Sequence, residues 1–312
     1  MTFNPKSLHI DQALSNISIA YRPSGFIADI IAPVVQVEKE SGKYYVWDRV
    51  DTFRTYNDLL APGAVAETID YPISNDNYYC EEYGRRTPIL WRDMTNADSV
   101  LKLEMNKSQK LVDTLMLGRE KRVADLMTTL GTYASGLSNT LSGTSQWDNA
   151  SYTGDPILEI DQMKEKIRKA CGQNPNIIII GADIVPVLTN NAKYKEHYKY
   201  TSNDIAGNGL PPVLRGLRVI VPGAMANSSN EGATTATNSD VWWKNIILAY
   251  INPSSSPTTD SFSFAYTMRA KQYETRKYNV AEQRCEYIET NYLEDIKVTS
   301  NVAGYLTKAV IS

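Results

Sequence analysis

The sequence predicts an α+β fold in which one unit is inserted into another. Three observations lead there. Leu101, Met105, Val112, Leu115, Met116, Val123, Leu126, Met127 and Leu130 recur at three- and four-residue steps and mark one long helix over 98–130. A mixed α/β stretch follows, centred on the unbroken apolar run Ile177, Ile178, Ile179 and Ile180. Strand-like segments then close the chain, and they must return to pair with elements that came earlier.

Composition bounds the function before any motif is read. Hydrophobic residues make up 42% and charged residues 21% of the 312, close to globular averages. The apolar runs at 177–180 and 246–251 are strand-sized, well short of the ~20 residues that span a bilayer. No charged-then-apolar leader opens the sequence, so a soluble, non-secreted chain is expected. Cys80, Cys171 and Cys285 are odd in number and far apart, which suits neither a disulfide framework nor a zinc spacing. A net charge of −3 argues against a dedicated nucleic-acid binder. The 20 tyrosines, against 5 Phe and 5 Trp, suit surfaces that a partner half-buries.

Each element has its own signals. Residues 1 to about 35 show little periodicity, with apolar anchors at 17–20 and 26–35, and read as an arm docked on something else. From 41 to 86 the period is two: Tyr45, Trp47 and Arg49 alternate with Tyr44, Val46 and Asp48. Ala61-Pro62-Gly63 turns the chain, and 65–69 and 77–83 read as returning strands, together a projecting hairpin. Such a hairpin is marginal alone and is expected to rest on another subunit. The long helix has cap candidates at Thr95, Asn96 and Asp98 and a terminator at Gly131, with Gly118 interrupting its middle.

Residues 131–154 read as an irregular loop rich in Ser, Thr, Asn and Gly. Asp155-Pro156 opens a second helix that Gly172 closes. A short helix follows Gly181, then a polar stretch over 190–209, a strand at 217–221 and another at 245–251. Phe262, Phe264, Tyr266 and Met268 give the cleanest alternation in the chain, and 284–299 and 302–311 supply the last strands.

Candidate chemistry is sparse. The strand–turn–helix at 177–181 has one glycine where a dinucleotide fingerprint has three, so a structural turn is the better reading. His197 lies in an alternating Tyr/Lys run with Tyr194, Tyr198 and Lys199, which reads as a solvated or subunit-facing loop before it reads as a nucleic-acid site. His9 has no acid nearby. Glu81, Glu82, Glu286, Glu289, Glu294 and Asp295 read as solvated strand positions or intersubunit pairs. No nucleophile–base pair stands out, so no catalytic residue, metal site or cofactor is expected. The long helix carries six basic and five acidic residues, so any DNA contact is expected to be diffuse and sequence-blind.

Arm, aromatic hairpin, long helix and inserted α/β unit follow the order of the tailed-bacteriophage major capsid protein, the Hong Kong 97-type capsid fold, which this sequence resembles from about residue 17 to 310. Ser18-Ile19-Ala20-Tyr21 before Phe26-Ile27-Ala28-Asp29 resembles its arm, and Ser41-Gly42-Lys43-Tyr44-Tyr45-Val46 its extended loop. Ala61-Pro62-Gly63, Cys80-Glu81-Glu82-Tyr83, Arg119-Glu120-Lys121-Arg122-Val123-Ala124 and Ala303-Gly304-Tyr305-Leu306 are similar to further signatures of that family.

The resemblance implies a shell subunit of pentamers and hexamers enclosing double-stranded DNA, located in the virion and assembled in the bacterial cytoplasm. Residues 1–35 would be the N-terminal arm and 36–88 the extended loop. Residues 89–164 would form the peripheral domain, with spine helix 98–130, and 165–265 the axial domain. Residues 266–300 would return to the peripheral domain, and 301–312 would add the last axial strand. The arm begins at once, so a scaffolding protein is expected to be a separate chain, beside a portal and a decoration protein. No membrane partner is implied. Lys43 lies where some members cross-link, but nothing in this sequence supports an isopeptide bond.

Tyr44, Tyr45, Trp47, Phe53 and Tyr56 are the expected loop contacts with neighbouring subunits, and Phe3, Ile10, Ile17, Phe26 and Ile27 those of the arm. Tyr194, His197, Tyr198 and Lys199 are candidates for a loop near a symmetry axis. Two rival readings are a bacterial, encapsulin-like compartment shell of the same fold and an α/β cofactor-binding enzyme using the turn at 177–181.

Overall fold

Two sheets share one long helix in the computed structural model, which describes residues 9–10, 25–47, 53, 55, 59–60, 63, 65–66, 68, 73–96, 100–198, 209–227, 229, 237–252 and 262–312. In chain order the elements begin with β1 (His9–Ile10), α1 (Ala28–Ile31), β2 (Val34–Gln36), β3 (Ser41–Trp47), β4 (Ile73–Tyr79) and β5 (Glu81–Leu90). Next come α2 (Trp91–Asn96), α3 (Val100–Met127), β6 (Ser138–Thr140), α4 (Pro156–Cys171), β7 (Ile177–Ile180), α5 (Ile184–Asn190) and α6 (Ala192–Tyr198). Strands β8 (Val213–Leu214), β9 (Leu217–Ile220), β10 (Met225–Asn227), β11 (Asn238–Asp240) and β12 (Ile246–Ala249) follow. The chain ends with β13 (Ala265–Val280), β14 (Cys285–Val298) and β15 (Gly304–Lys308).

The first sheet has the order β1-β13-β14-β5, with β2 parallel to the start of β13. Its frame is the long antiparallel pair β13–β14, which sets Arg269 opposite Glu294 and Tyr278 opposite Tyr287. Helix α3 lies along this sheet. Leu111 packs with Ile89 and Ile288, and one turn on Val112, Leu115 and Met116 meet Tyr273 and Tyr292. Its last turns leave the sheet: Val123, Ala124 and Met127 belong to the main core. One apolar stripe therefore serves two units, which is why the helix must be long.

The second sheet has the order β6-β15-β12-β7-β9-β8. All residues of β7 and β12 are buried, as the apolar runs predict for central strands. The expected bounds of α4 also hold. The Asp155 carboxylate accepts from Ile157 N at 2.9 Å, Pro156 occupies the first turn, and Gly172 ends the helix at φ +71.

Three elements differ from expectation. The hairpin returns on β4, at 73–79, paired with β3 from Ser41↔Tyr79 to Trp47↔Ile73, while 81–90 joins the first sheet beside β14. Ser74, Asn75, Asp76 and Asn77 are poor strand formers, and cross-strand pairing with the aromatic β3 overrides that bias. Between the two strands, Cys80 is buried and its amide bonds Glu40 O at 2.7 Å. Next, 192–198 is helix, not loop: Asn191 Oδ1 accepts from Lys193 N at 2.9 Å, an N-cap, and Tyr194 and Tyr198 meet one turn apart. Finally, β13 runs on to Val280 through a charged stretch that hid it, because those charges are paired within the sheet and with Glu104 of α3.

Gly181 has a steric reason. A Cβ there would fall inside the van der Waals envelope of the Trp243 carbonyl oxygen, while the Gly181 amide bonds Asn245 O at 3.1 Å. This close approach of two backbones accounts for the glycine without a phosphate ligand. Gly181→Ala is expected to cost about 1–3 kcal/mol in urea unfolding. Gly131→Ala, with open space around its Cβ, should be close to neutral.

Candidate functional site

The chain's most organised polar cluster is buried where arm, long helix and both units meet. Glu120 on α3 is 0% exposed. Its Oε1 accepts from Ile27 N at 2.9 Å and Trp242 Nε1 at 2.7 Å, and its Oε2 from Ala28 N at 2.9 Å. One carboxylate thus holds the first amides of α1 and an indole from the second unit. Burial pushes the Glu120 carboxyl above its usual range, although these three donors and Arg119 pull it down.

Glu294, on β14, is 1% exposed and sits among three guanidinium groups. Arg119 Nε donates to its Oε2 at 3.0 Å, Arg269 at 2.7 Å, and Arg122 to its Oε1 at 3.3 Å. Arg119 also reaches Asp29 Oδ1 at 2.6 Å and Thr267 Oγ1 at 3.1 Å. Burial works against its charge, but Glu294 and Asp29 more than offset it and raise the Arg119 pKa. Glu294 is therefore not the solvated or intersubunit carboxylate that the sequence suggested. The Arg119-Glu120 pair was legible as a motif, but its partners Asp29, Trp242, Arg269 and Glu294 are scattered along the chain.

This cluster positions elements and offers no reacting atom. Among the described residues, no group of His, Cys, Asp and Glu could hold a metal ion. Cys80, Cys171 and Cys285 are buried and form no disulfide with one another, and burial raises the Cys80 pKa, away from the reactive thiolate. No described helix is long and apolar enough to cross a membrane.

The hairpin β3–β4 forms a two-stranded sheet of its own. Its root is fastened: Tyr79 N donates to Asp295 Oδ2 at 2.8 Å, and Tyr44 and Tyr78 pack on Val35, Cys80, Tyr266, Met268 and Leu293. Tyr44 therefore anchors the hairpin within its own chain, with its hydroxyl on Asp76 Oδ2 at 3.0 Å. Tyr45 and Trp47 lie on β3, but their side chains, and all of Tyr56, fall outside the described residues. Phe53 is 53% exposed beside Gly172. Leu59 at 87%, Leu60 at 53% and Val65 at 93% are more exposed apolar side chains that the aromatic pattern did not single out.

Of the arm residues, Phe3 and Ile17 lie outside the described residues, and the backbone of Ile10 pairs with Arg276. Ile27 is 3% exposed in the main core and the half-buried Phe26 packs on that core, so both anchor the arm on its own chain. Tyr194 is likewise a core residue, 4.8 Å from the Tyr198 ring, and burial pushes its hydroxyl up to about 12. Beside it, His197 Nε2 lies 3.4 Å from Asp155 Oδ2, the cap of α4, and Lys199 is outside the described residues. Glu294→Ala, which strips Arg119 and Arg269 of their shared buried partner, is expected to lose about 3–5 kcal/mol in urea unfolding. Glu294→Gln, which keeps an acceptor, should lose less.

Known proteins resemble the chain in sequence and in fold. No protein-family model matches the chain. It is 28% identical over 305 residues to the major capsid protein of Burkholderia phage BcepMu, covering 96% of each. A crystal structure of a phage-related protein from Bordetella bronchiseptica RB50 matches with TM-score 0.76 at 20% identity, over 97% of this chain and 98% of that one. The mature capsid of bacteriophage PhiM1 matches with TM-score 0.60 at 12% identity, over 99% of this chain and 91% of that one. The chain has the Hong Kong 97-type phage capsid fold, and its sequence is similar over nearly its whole length to a phage major capsid protein.

Proposed function

We propose that this chain is the major capsid protein of a tailed phage, assembling as pentamers and hexamers into an icosahedral shell around double-stranded DNA. Its role is structural. The observation that carries the reading is the hairpin. A two-stranded ribbon is marginal in water, and the described residues fasten this one at its root, on Asp295 and the cluster around Cys80. Beyond that root it carries Phe53, Leu59, Leu60 and Val65 open to solvent, apolar area suited to burial on a neighbouring copy. Tyr45, Trp47 and Tyr56 would join that contact, and Phe3, Ile10 and Ile17 would do the same for the arm.

In this reading the first sheet with α3 is the peripheral unit, and the second sheet with α4, α5 and α6 is the axial unit near the five- and six-fold axes. His197, Tyr198 and Lys199 would lie towards such an axis. A separate scaffolding protein, a portal and a decoration protein complete the assembly, which forms in the host cytoplasm and persists in the virion. Similarity to a phage protein supports a DNA-filled shell over a cargo compartment of the same fold.

Negative-stain microscopy of the purified chain, with and without a scaffolding partner, tests this directly. Closed shells, or rings of five or six, are the expected result, and a chain that stays monomeric or dimeric at every concentration would overturn it. The pair Leu59→Asp and Leu60→Asp is expected to abolish such particles. It should leave the thermal midpoint of the free chain within about 1 °C, because exposed substitutions change stability little.

A further inference from the structure

Over 100–127, α3 carries six basic residues against four acids, Glu104, Asp113, Glu120 and Asp125. Of its acids, Glu104 is tied to Lys277 at 2.7 Å, and Glu120 is buried under three N–H donors. Lys110, Thr114, Gly118 and Arg122 follow one another at four-residue steps, so they form a row along one side of the helix. Across from this row runs β5, the edge strand of the first sheet. Between them is an open groove of about 450 Å³, lined by Arg85, Arg122 and Thr114 with Gly84 and Gly118, and no acidic residue lines it.

Arg85 is exposed, and no hydrogen bond or ion pair engages its guanidinium among the described residues. Arg122 is braced over the Tyr83 ring at 3.7 Å and its Nη2 holds the Tyr292 hydroxyl at 2.7 Å and Glu294 Oε1 at 3.3 Å, which leaves its Nη1, beside Gly118, for the groove. Lys110 is exposed at the end of the row. At the rim, Arg86 is held on the Tyr278 hydroxyl at 3.2 Å, and Glu81 takes the Tyr83 hydroxyl at 2.9 Å.

We propose that the groove between β5 and α3 binds the phosphodiester backbone of duplex DNA, through Arg85, Lys110 and Arg122 with the Thr114 hydroxyl. The proposal rests on the reading of the chain as a shell around DNA, and gives that contact a place. Guanidinium groups match phosphate oxygens in pairs. Gly118 adds no side chain, and a Cβ there would meet only Arg122, so a phosphate can approach the helix closely. The row from Lys110 to Arg122 is roughly 18 Å long at ~1.5 Å per residue, which matches about five base-pair steps of ~3.4 Å. All the groups named recognise phosphate and none reads a base edge, so binding is sequence-blind.

The test is fluorescence anisotropy of the unassembled full-length chain with a labelled DNA duplex of about 20 base pairs, titrated between about 50 and 200 mM salt. Arg85→Gln with Lys110→Gln is expected to weaken binding about tenfold at the low end. It should reduce the slope of log affinity against log salt by about 2, roughly 0.9 per lost phosphate contact. Lys193→Gln with Lys195→Gln, on α6, should change neither. If the double variant is poorly folded by circular dichroism, Arg85→Gln alone should lower the slope by about 1. Unchanged affinity and slope would overturn the proposal. So would a variant that binds DNA normally but no longer forms particles, since the groove would then belong to a neighbouring subunit. Failure of the unaltered chain to assemble would instead count against the shell reading.

Discussion

Glu294 and Glu120, two carboxylates almost sealed from solvent, hold the arm, the long helix and both sheets in one arrangement. Taking an ion out of water costs several kcal/mol, and only a complete set of partners offsets it. Glu294 has Arg119, Arg122 and Arg269, which come from the helix and from β13; Glu120 has amides of the arm and the Trp242 indole. Such a network adds little net stability compared with an apolar core of the same volume. It does penalise every arrangement in which a partner is missing. The apolar stripe of α3 could slide or rotate against either sheet with modest loss, whereas the ion cluster fits only when all the parts are in place.

The same junction ties the two units of the chain together. The apolar residues of α3 serve the first sheet in its middle and the main core at its end, while the charged pair Arg119–Glu120 sits at the crossover. Asp29 and the first amides of α1 bind there too, so the base of the arm is fixed at the same point. The hairpin is rooted one strand pair away, where Tyr79 N meets Asp295, the residue after Glu294. The base of the arm and the root of the hairpin therefore start from neighbouring points of one junction.

Much of this was legible in the residues. The stripe of α3, the Asp155-Pro156 start and Gly172 end of α4, and the isoleucine run of β7 are local signals, and they read correctly because local geometry and burial agree there. What failed was non-local. Nothing near Glu294 in sequence reveals three arginines around it. The polar strand β4 exists only because β3 pairs with it, and the aromatic arm and loop residues divide by packing that periodicity cannot see. Ile27, Tyr44 and Tyr194 are internal anchors, whereas Leu59, Leu60 and Val65 stand exposed. Gly181 looked like the start of a phosphate loop and is explained by the backbone of residue 243.

In the proposed shell this fold is finished by other copies of itself, and the hairpin is where that completion happens. Amide hydrogen exchange, compared between the free chain and assembled particles, measures that most directly. Fast exchange over β3 and β4 is expected in the free chain and strong protection in particles, with β7 and β12 equally protected in both. A hairpin already as protected as β12 in the free chain, or no gain on assembly, would contradict it.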